Sequence, residues 1–156
     1  MNMPRLAALA ACLGFVAVPS LAAEAGDVGA LWEADRSRIF AAEEVDLDAL
    51  QWLARPVVVF ANSPRDPAFI QQMEEIAKDM DRLVERDVIV IVDTDRESGS
   101  DLRTKLRPRG FMLVLMGKDG EVKLRKPLPW TVRELSRSID KMPMRQREER
   151  EGREGL

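Results

Sequence analysis

The sequence of 156 residues contains no histidine and only one cysteine, Cys12. Without histidine, the commonest general base and the commonest metal ligand in proteins are both missing. Cys12 lies in an apolar run near the amino terminus, and removal of that run would leave a chain without thiols. Disulfides, thiol redox chemistry and cysteine metal sites would then be excluded together. We therefore expect neither a bound metal nor a cofactor.

Long apolar segments are also scarce, and the one present is at the amino terminus. Residues 1–5 are positively charged, residues 6–18 are apolar, and small residues follow as far as Ala25. This order is typical of a secretory signal peptide, which we place at residues 1–23, with cleavage after Ala22 or after Ala25. The apolar run is shorter than the roughly 17 to 25 residues that span a membrane. We expect a periplasmic or secreted protein with no membrane span after signal cleavage.

A lipid anchor on Cys12 is the alternative form of processing. Residues 9–12 resemble a lipoprotein cleavage box, but only a short apolar stretch precedes them and another apolar stretch follows. The apolar region of a signal peptide is normally longer than the stretch before Cys12. We therefore do not expect a lipoprotein.

An excess of positive charge is missing as well. The 24 lysines and arginines are outnumbered by 27 aspartates and glutamates, and the formal net charge is −3 at pH 7. A nucleic-acid-binding surface requires a strong excess of basic residues, so we expect no nucleic-acid partner. The apolar fraction of 46% and the charged fraction of 33% are those of a soluble globular chain with room for one domain.

Two β-branched runs in the middle of the chain, residues 57–60 and 88–92, predict buried strands. Between them, apolar residues recur with helical spacing over residues 67–84. Asp66 is placed to cap that helix, and Pro67 suits its first position. Strand, helix and strand in this order predict a βαβ unit with parallel pairing.

The carboxyl-terminal half predicts a β-hairpin followed by a helix. Residues 111–116 and 121–126 have strand patterns and are joined by a turn at residues 117–120 that contains Asp-Gly. Thr131 and Glu134 match a capping box that opens the final helix.

The mature chain divides into three parts. Residues 24–54 form an N-terminal helical lead-in, whose first part is predicted to be a helix lying across the domain and in which Trp52 and Leu53 are predicted core anchors. Residues 55–143 form the packed domain. Residues 144–156 form a charged tail, predicted to be flexible because it has nothing to bury.

A βαβ unit, a short helix at residues 101–106, a hairpin and a final helix make up the element order of the thioredoxin fold. Four segments between residues 55 and 145 resemble the bacterial exported domain-of-unknown-function family DUF4174, which is thioredoxin-like and related to peroxiredoxins: RPVVVFANSPRDP, ERDVIVIVD, GFMLVLMGKDGEVKLR and PLPWTVRELSRSIDKMPMR. The resemblance implies an α/β, thioredoxin-like fold. Its central mixed sheet would combine the βαβ unit with the C-terminal hairpin and would be flanked by helices.

The resemblance also bears on redox chemistry. When the chain is aligned on the long helix, Ser63 and Asp66 occupy the positions of the two cysteines of thioredoxins, and Met112 occupies that of the cis-proline. The resemblance therefore implies no thiol oxidoreductase or peroxidase activity. A similar domain occurs in vertebrate extracellular-matrix proteins with sushi repeats, which implies a binding or adhesion role. The family supplies no catalytic residues to carry over.

Two loops are expected to lie side by side, because parallel strands end at the same edge of a sheet, and that edge is the usual ligand crevice. The candidate binding loop contributes Asn62, Ser63, Arg65 and Asp66, and the candidate neighbouring loop contributes Asp93, Asp95, Arg96 and Asp101. Ser63 lacks a base that would activate it as a nucleophile. Asp66 is either the helix cap or a general acid–base group.

Two further patterns lie in and after the neighbouring loop. Its alternating carboxylates resemble a calcium loop, but Ser98 and Thr104 replace the glycine and the carboxylate that an EF-hand requires, so no metal site is predicted. The basic residues around Leu106 either clamp an anionic ligand or form a solvated face. These residues are Arg103, Lys105, Arg107 and Arg109.

The leading hypothesis is a non-redox binding or interaction module for an unknown periplasmic or envelope protein or a small ligand. The alternative is a crevice enzyme, hydrolase-like, that uses carboxylate and arginine chemistry. A third hypothesis is a structural envelope protein whose charged tail makes the contacts. No catalytic residue is assigned from the sequence.

Overall fold

The computed structural model describes residues 27–155. The predicted signal peptide at residues 1–23 and the cysteine at position 12 lie outside the described residues. The strands are β1 (Ile39–Ala41), β2 (Arg55–Phe60), β3 (Val88–Asp93), β4 (Met112–Met116) and β5 (Val122–Lys126). The helices are α1 (Val28–Ala34), α2 (Pro67–Lys78), α3 (Met80–Val84), α4 (Asp101–Leu106), α5 (Val132–Asp140) and α6 (Pro143–Glu154). Two short 3-10 helices cover Ala42–Glu44 and Asp48–Leu50.

The five strands form one mixed sheet in the order β1-β3-β2-β4-β5. β3 pairs in parallel with β1 and β2, whereas β4 pairs antiparallel with β2 and β5. The predicted βαβ unit and C-terminal hairpin are both confirmed. The chain is therefore an α/β protein with a mixed sheet flanked by helices, and this arrangement is consistent with a thioredoxin-like one.

Two apolar layers cover the two faces of the sheet. Val58 and Phe60 of β2 belong to the layer under α1 and α4, whereas Val57 and Val59 belong to the layer under α2, α3 and α5. Alternate residues of a strand point to opposite faces, so residues 56–60 of β2, which are covered on both sides, are all apolar. Every residue of β2 is buried, which explains the uninterrupted β-branched run.

The lead-in (24–54) contains a strand that the sequence did not predict. α1 ends at Ala34, and Ile39–Ala41 form β1 at the edge of the sheet, paired with β3. Ile39 is 40% exposed and Phe40 is fully buried, which is the alternation expected of an edge strand. Three residues are too few to show that period. The lead-in is helical at α1 and at the two short 3-10 helices, whereas Ile39–Ala41 depart from the predicted helical lead-in and complete the sheet.

Trp52 is not a core anchor, and that prediction is wrong. Its side chain is 63% exposed, whereas Leu50 is 1% exposed. The backbone of Trp52 is left-handed (φ 67°), and its N–H donates to the carbonyl of Lys118 at 2.7 Å. Left-handed backbone is rare for a bulky residue and depends here on the hairpin turn that accepts the hydrogen bond. Leu53 does pack, partly buried, against the core.

The helical segment between β2 and β3 is interrupted once. Asp66 caps α2 as predicted, since its Oδ1 accepts from the N–H of Ala68 at 2.9 Å, and Pro67 occupies the first turn. α2 and α3 are separated at Asp79, whose backbone leaves the helical conformation (φ −131°, ψ 31°). Both helices cover the same apolar layer, so apolar spacing alone does not reveal the break.

The charged tail (144–156), for which the sequence predicted flexibility and no helix, is helical in its described part. Pro143 lies in the first turn of α6, a position that proline favours. Arg145 forms ion pairs with Glu148 at 3.6 Å and Glu149 at 3.3 Å, one turn further along, and such pairs stabilise a helix. No residue of α6 is buried. A prediction based on apolar burial therefore could not find this helix.

α6 contacts the sheet through the Arg55 ion cluster, by which we mean Arg55, Asp87, Lys118 and Glu148. Nη2 of Arg55 donates to both carboxylate oxygens of Glu148 at 2.9 Å, and Nη1 donates to the carbonyl of Arg86 at 2.9 Å. Nζ of Lys118 lies 2.7 Å from Asp87 and 3.1 Å from Glu148. Since the side chain of Arg55 is 1% exposed, α6 supplies the counter-charge of a buried guanidinium.

We predict that the Arg55 ion cluster makes the protein sensitive to acid. Burial would raise the pKa of Glu148, but hydrogen bonds from Arg55 and Lys118 outweigh burial and hold the pKa below its usual 4.5. The pKa of Asp87 is lowered in the same way, because Lys118 and Arg36 outweigh burial. Both carboxylates therefore bind protons less readily in the folded chain than in the unfolded chain. Their stabilisation is complete above the unfolded-state pKa values and is lost as the pH falls towards the folded-state values.

Urea unfolding at a series of pH values measures this effect. We expect a free energy of unfolding that changes little from neutral pH to about pH 5 and declines below about pH 4.5. Glu148→Gln, which cannot titrate, is the matched control and is expected to show a shallower decline. The same decline in both proteins would contradict a role for Glu148.

Candidate functional site

The candidate loops leave the sheet from neighbouring strand ends. Phe60 at the end of β2 lies opposite Asp93 at the end of β3. The N–H of Ala61 donates to the carbonyl of Asp93 at 2.9 Å, which continues the pairing one residue further. The loops that follow these two strands therefore begin side by side, at the carboxyl end of the parallel strands. Ligands bind at this edge in open α/β sheets.

A buried ion pair holds α4 against this edge. Nε of Arg103 donates to Oδ1 of Asp93 at 2.8 Å, and the hydroxyl of Ser100 donates to Oδ2 at 2.6 Å. Nη2 of Arg103 also donates to the carbonyl of Ala61 at 2.6 Å, and its guanidinium lies 5.5 Å from the ring centre of Phe60. The carboxylate of Asp93 is fully buried. Asp93 thus acts as a structural clamp that joins β2, β3 and α4.

A pocket of about 410 Å³ opens beside this clamp. We call it the arginine pocket, and its lining residues are Asn62, Arg96, Arg103, Arg107, Pro108, Arg109 and Gly110. This lining contains four guanidinium groups and no carboxylate. Arg103 is neutralised by Asp93, whereas Arg96, Arg107 and Arg109 form no ion pair with any residue between positions 27 and 155. The pocket is therefore strongly electropositive.

The segment after α4 brings two of these arginines into the pocket. Leu106 is buried, and its carbonyl accepts from Nη1 of Arg125 at 2.5 Å, which ties the end of α4 to β5. Arg107 then caps α4 with a left-handed backbone (φ 48°, ψ 57°). Gly110 is left-handed as well (φ 63°), and proline fixes the backbone between the two arginines. The chain turns sharply twice within four residues, and both arginines line the same pocket.

The structure places the predicted site residues in different surroundings. Asn62 from the binding loop and Arg96 from the neighbouring loop line the arginine pocket together. Local hydrogen bonds involve four of the others: Ser63, Arg65, Asp66 and Asp95. Ser63 accepts from the N–H of Arg65, Asp66 caps α2, and Asp95 accepts from the N–H of Glu97. The structure shows where all of these residues lie, and a ligand-binding role for them stays a prediction.

Asp101 faces a different part of the surface. It lines a hollow of about 560 Å³ whose other acidic residues are Asp27, Glu43, Glu44, Asp46 and Asp48. Lys105 also lines this hollow and pairs with Asp48 at 3.0 Å, so it does not join Arg103, Arg107 and Arg109. This acidic hollow depends on the lead-in lying beside α4, a contact that no local pattern predicts. Across residues 27–155, no three acidic, histidine or cysteine side chains are arranged to hold a metal ion.

The chemistry of the arginine pocket is that of oxyanion binding. Guanidinium groups donate paired hydrogen bonds to carboxylate, phosphate or sulfate oxygens, and the amide of Asn62 adds a further donor or acceptor. The lining provides neither a hydroxyl nor a carboxylate to act as nucleophile or base. The hydrolase-like alternative therefore gains no support from this geometry.

Comparison with known protein families identifies one match. The model of the family described as "Domain of unknown function (DUF4174)" matches residues 46–148, about two thirds of the chain. None of the curated proteins matches the chain, and none of the solved structures matches it. In the part of the chain from residue 27 to residue 155, no helix is long and apolar enough to cross a membrane. On the strength of the family match, this chain belongs to the DUF4174 family.

Proposed function

We propose that this protein is an exported, non-redox binding module that holds an anionic group in the arginine pocket. The ligand would be a small molecule or a partner protein that presents a carboxylate, phosphate or sulfate. The observation behind the proposal is the convergence of three unpaired arginines and Asn62 in one concave site at the usual ligand edge. Convergent guanidinium groups repel one another, and an oxyanion relieves that repulsion.

The backbone at Arg107 supports the proposal independently. The position after a helix that takes a left-handed conformation is most often glycine, and a residue with a Cβ atom pays roughly 1–2 kcal/mol there. Arg107 nevertheless occupies it, with φ 48°. Strained backbone of this kind is concentrated at binding and catalytic sites. The side chain of Arg107 is thus kept at a conformational cost, and we attribute the cost to ligand binding.

Arg107→Gly separates binding from stability. Glycine suits the left-handed backbone, so we expect the free energy of unfolding to be unchanged or to rise by up to about 1 kcal/mol. Loss of one of three unpaired guanidinium groups is expected to weaken anion binding about tenfold or more, the equivalent of about 1.4 kcal/mol. The measurement is an NMR titration of the folded protein with inorganic phosphate, and in parallel with acetate, at constant ionic strength.

The titration has clear alternative outcomes. We expect saturable shifts confined to Asn62, Arg96 and the Arg107–Gly110 segment, reduced in Arg107→Gly. Arg133→Gln is the control, because Arg133 is exposed on α5 and lies outside the pocket. Shifts scattered over all basic residues, or equal affinity in wild type and Arg107→Gly, would refute the proposal. Phosphate binding without acetate binding would restrict the ligand class to tetrahedral anions.

Export is part of the proposal and has its own test. It is supported by the signal-peptide pattern of residues 1–23. The intact mass of the protein recovered from a periplasmic fraction is expected to correspond to a chain that starts at Ala23 or at Gly26. Recovery of the full-length mass from the cytoplasmic fraction alone would contradict export.

A further inference from the structure

α6 lies on the body of the protein without contributing to its core. None of its 12 residues is buried, and between Arg145 and Glu154 its sequence consists of charged residues, one glutamine and one glycine. Apolar burial is the main source of helix stability in proteins, so α6 lacks the usual means of attachment. Its attachment depends on Glu148 and on the residues at its start.

The carboxylate of Glu148 occupies a cationic site on the body. Arg55 and Lys118 contact it at 2.9 and 3.1 Å. Without Glu148, these two cations and Arg36 would share the single carboxylate of Asp87, which lies 4.0 Å from Arg55. Three positive charges against one negative charge leave the site electropositive. Since the guanidinium of Arg55 is buried, the site requires a carboxylate from some source.

A hollow lies between this cationic site and the start of α6. Its volume is about 290 Å³. From the body of the protein, its lining includes Arg55, Lys118 and Lys123, the last of which pairs with Asp119 at 2.6 Å. The other side is lined by the start of α6 itself, with Met142, Pro143, Met144 and Arg147. The hollow loses these residues when α6 is displaced, so the surface that α6 covers is the cationic site alone, which we call the α6 seat.

We propose that the α6 seat is a second binding surface, for a glutamate-bearing helical segment of a partner protein, and that α6 blocks it in the free protein. The helix now in place defines what the seat accepts: one carboxylate on Arg55 and Lys118, carried on a helix that buries little apolar surface. A partner segment with the same feature replaces α6 without exposing core residues. The seat lies at the end of the sheet where β2 and β3 begin, opposite the arginine pocket, and does not depend on the function proposed for that pocket.

The test uses full-length mature protein and a labelled peptide of residues 142–155 as the probe. In Glu148→Gln the internal helix competes less well, so we expect the peptide to bind this variant at least tenfold more tightly than wild type, by fluorescence anisotropy. A peptide with glutamine in place of Glu148 is expected to bind at least tenfold more weakly. Glu151→Gln is the matched control, because Glu151 is exposed on the same helix, and this variant is expected to behave as wild type.

A second measurement needs no substitution in the protein. Excess unlabelled peptide, added to the wild-type chain, is expected to speed amide hydrogen exchange of the protein's own α6 at least threefold while β2 and β3 stay protected. Unchanged exchange in α6 at millimolar peptide would overturn the proposal, as would equal affinity of wild type and Glu148→Gln for the peptide. Equal binding by the two peptides would overturn it as well. Peptide binding that persists in Arg107→Gly is expected, since the two surfaces are separate.

Discussion

Replacement of Trp32 by alanine is expected to lower the free energy of unfolding by about 3–5 kcal/mol, the range for loss of a buried tryptophan. The side chain is fully buried in α1, and its Nε1 donates to the carbonyl of Val88 at 3.3 Å. Alanine at this position would leave a cavity between α1 and the sheet and an unpaired carbonyl at the start of β3. Urea unfolding followed by circular dichroism measures the change.

Leu31→Ala provides the comparison within the same helix. Leu31 is 37% exposed, so its replacement is expected to change the free energy of unfolding by less than about 1 kcal/mol. A similarly small effect of Trp32→Ala would show that α1 lies outside the cooperative unit. Truncation of the lead-in is expected to prevent folding. A chain that begins at residue 55 would lack both Trp32 and the whole of β1.

Asp93→Ala is expected to lower the free energy of unfolding by about 3–5 kcal/mol, because removal of one partner from a buried ion pair leaves the other charge uncompensated. Arg103 is only 11% exposed and would lose the carboxylate at 2.8 Å. The hydroxyl of Ser100 would lose its acceptor too. Since Arg103 also lines the arginine pocket, phosphate binding is expected to weaken along with stability.

Asp95→Ala is the matched control for that substitution. Asp95 is exposed in the same loop, and its carboxylate accepts only a local hydrogen bond, from the N–H of Glu97. We expect its replacement to cost no more than about 1 kcal/mol and to leave phosphate binding unchanged. Equal effects of the two substitutions on stability would contradict the assignment of Asp93 as the clamp between β2, β3 and α4.

A polar residue at the edge after β2 and β3 can stabilise the fold or bind a ligand, and these assignments distinguish the two roles. From the sequence, Asp66 is predicted as the helix cap, with a general acid–base role as the alternative, and Asp93 belongs to the candidate neighbouring loop. In the structure, Asp66 caps α2 and Asp93 neutralises Arg103, so both have structural roles. The arginines that remain unpaired lie after α4, in a segment that the sequence indicated only as a clamp or a solvated face.

Most of the sheet could be predicted because its signals are local. The apolar runs of β2 and β3, the Asp66 cap and the capping box at Thr131 each depend on residues within a few positions of one another. The turn between β4 and β5 is local in the same sense, with Gly117 accepting and donating backbone hydrogen bonds across it. Such local patterns do not depend on the tertiary structure, so they can be recognised from the sequence.

The remaining elements depend on partners far along the chain. β1 is a strand only because the edge of β3 is available to it, and α6 is placed by Glu148 contacting Arg55, 93 positions away. Charged residues show no period that distinguishes a docked helix from a solvated tail, so α6 has no strong local signal. β1 has none because three residues are too few to show the alternation of a strand.

The candidate site also depends on contacts between residues far apart in the sequence. The sequence shows directly that no cysteine follows Cys12, and the predicted βαβ unit marked the edge after β2 and β3 as the candidate place for a ligand. Which of the polar residues meet there was decided by the left-handed turns at Arg107 and Gly110 and by the clamp of Asp93 on Arg103. Those geometries exist only once the sheet, α4 and β5 are packed together, because hydrogen bonds from Arg103 to Asp93 and from Arg125 to the carbonyl of Leu106 join α4 to separate strands.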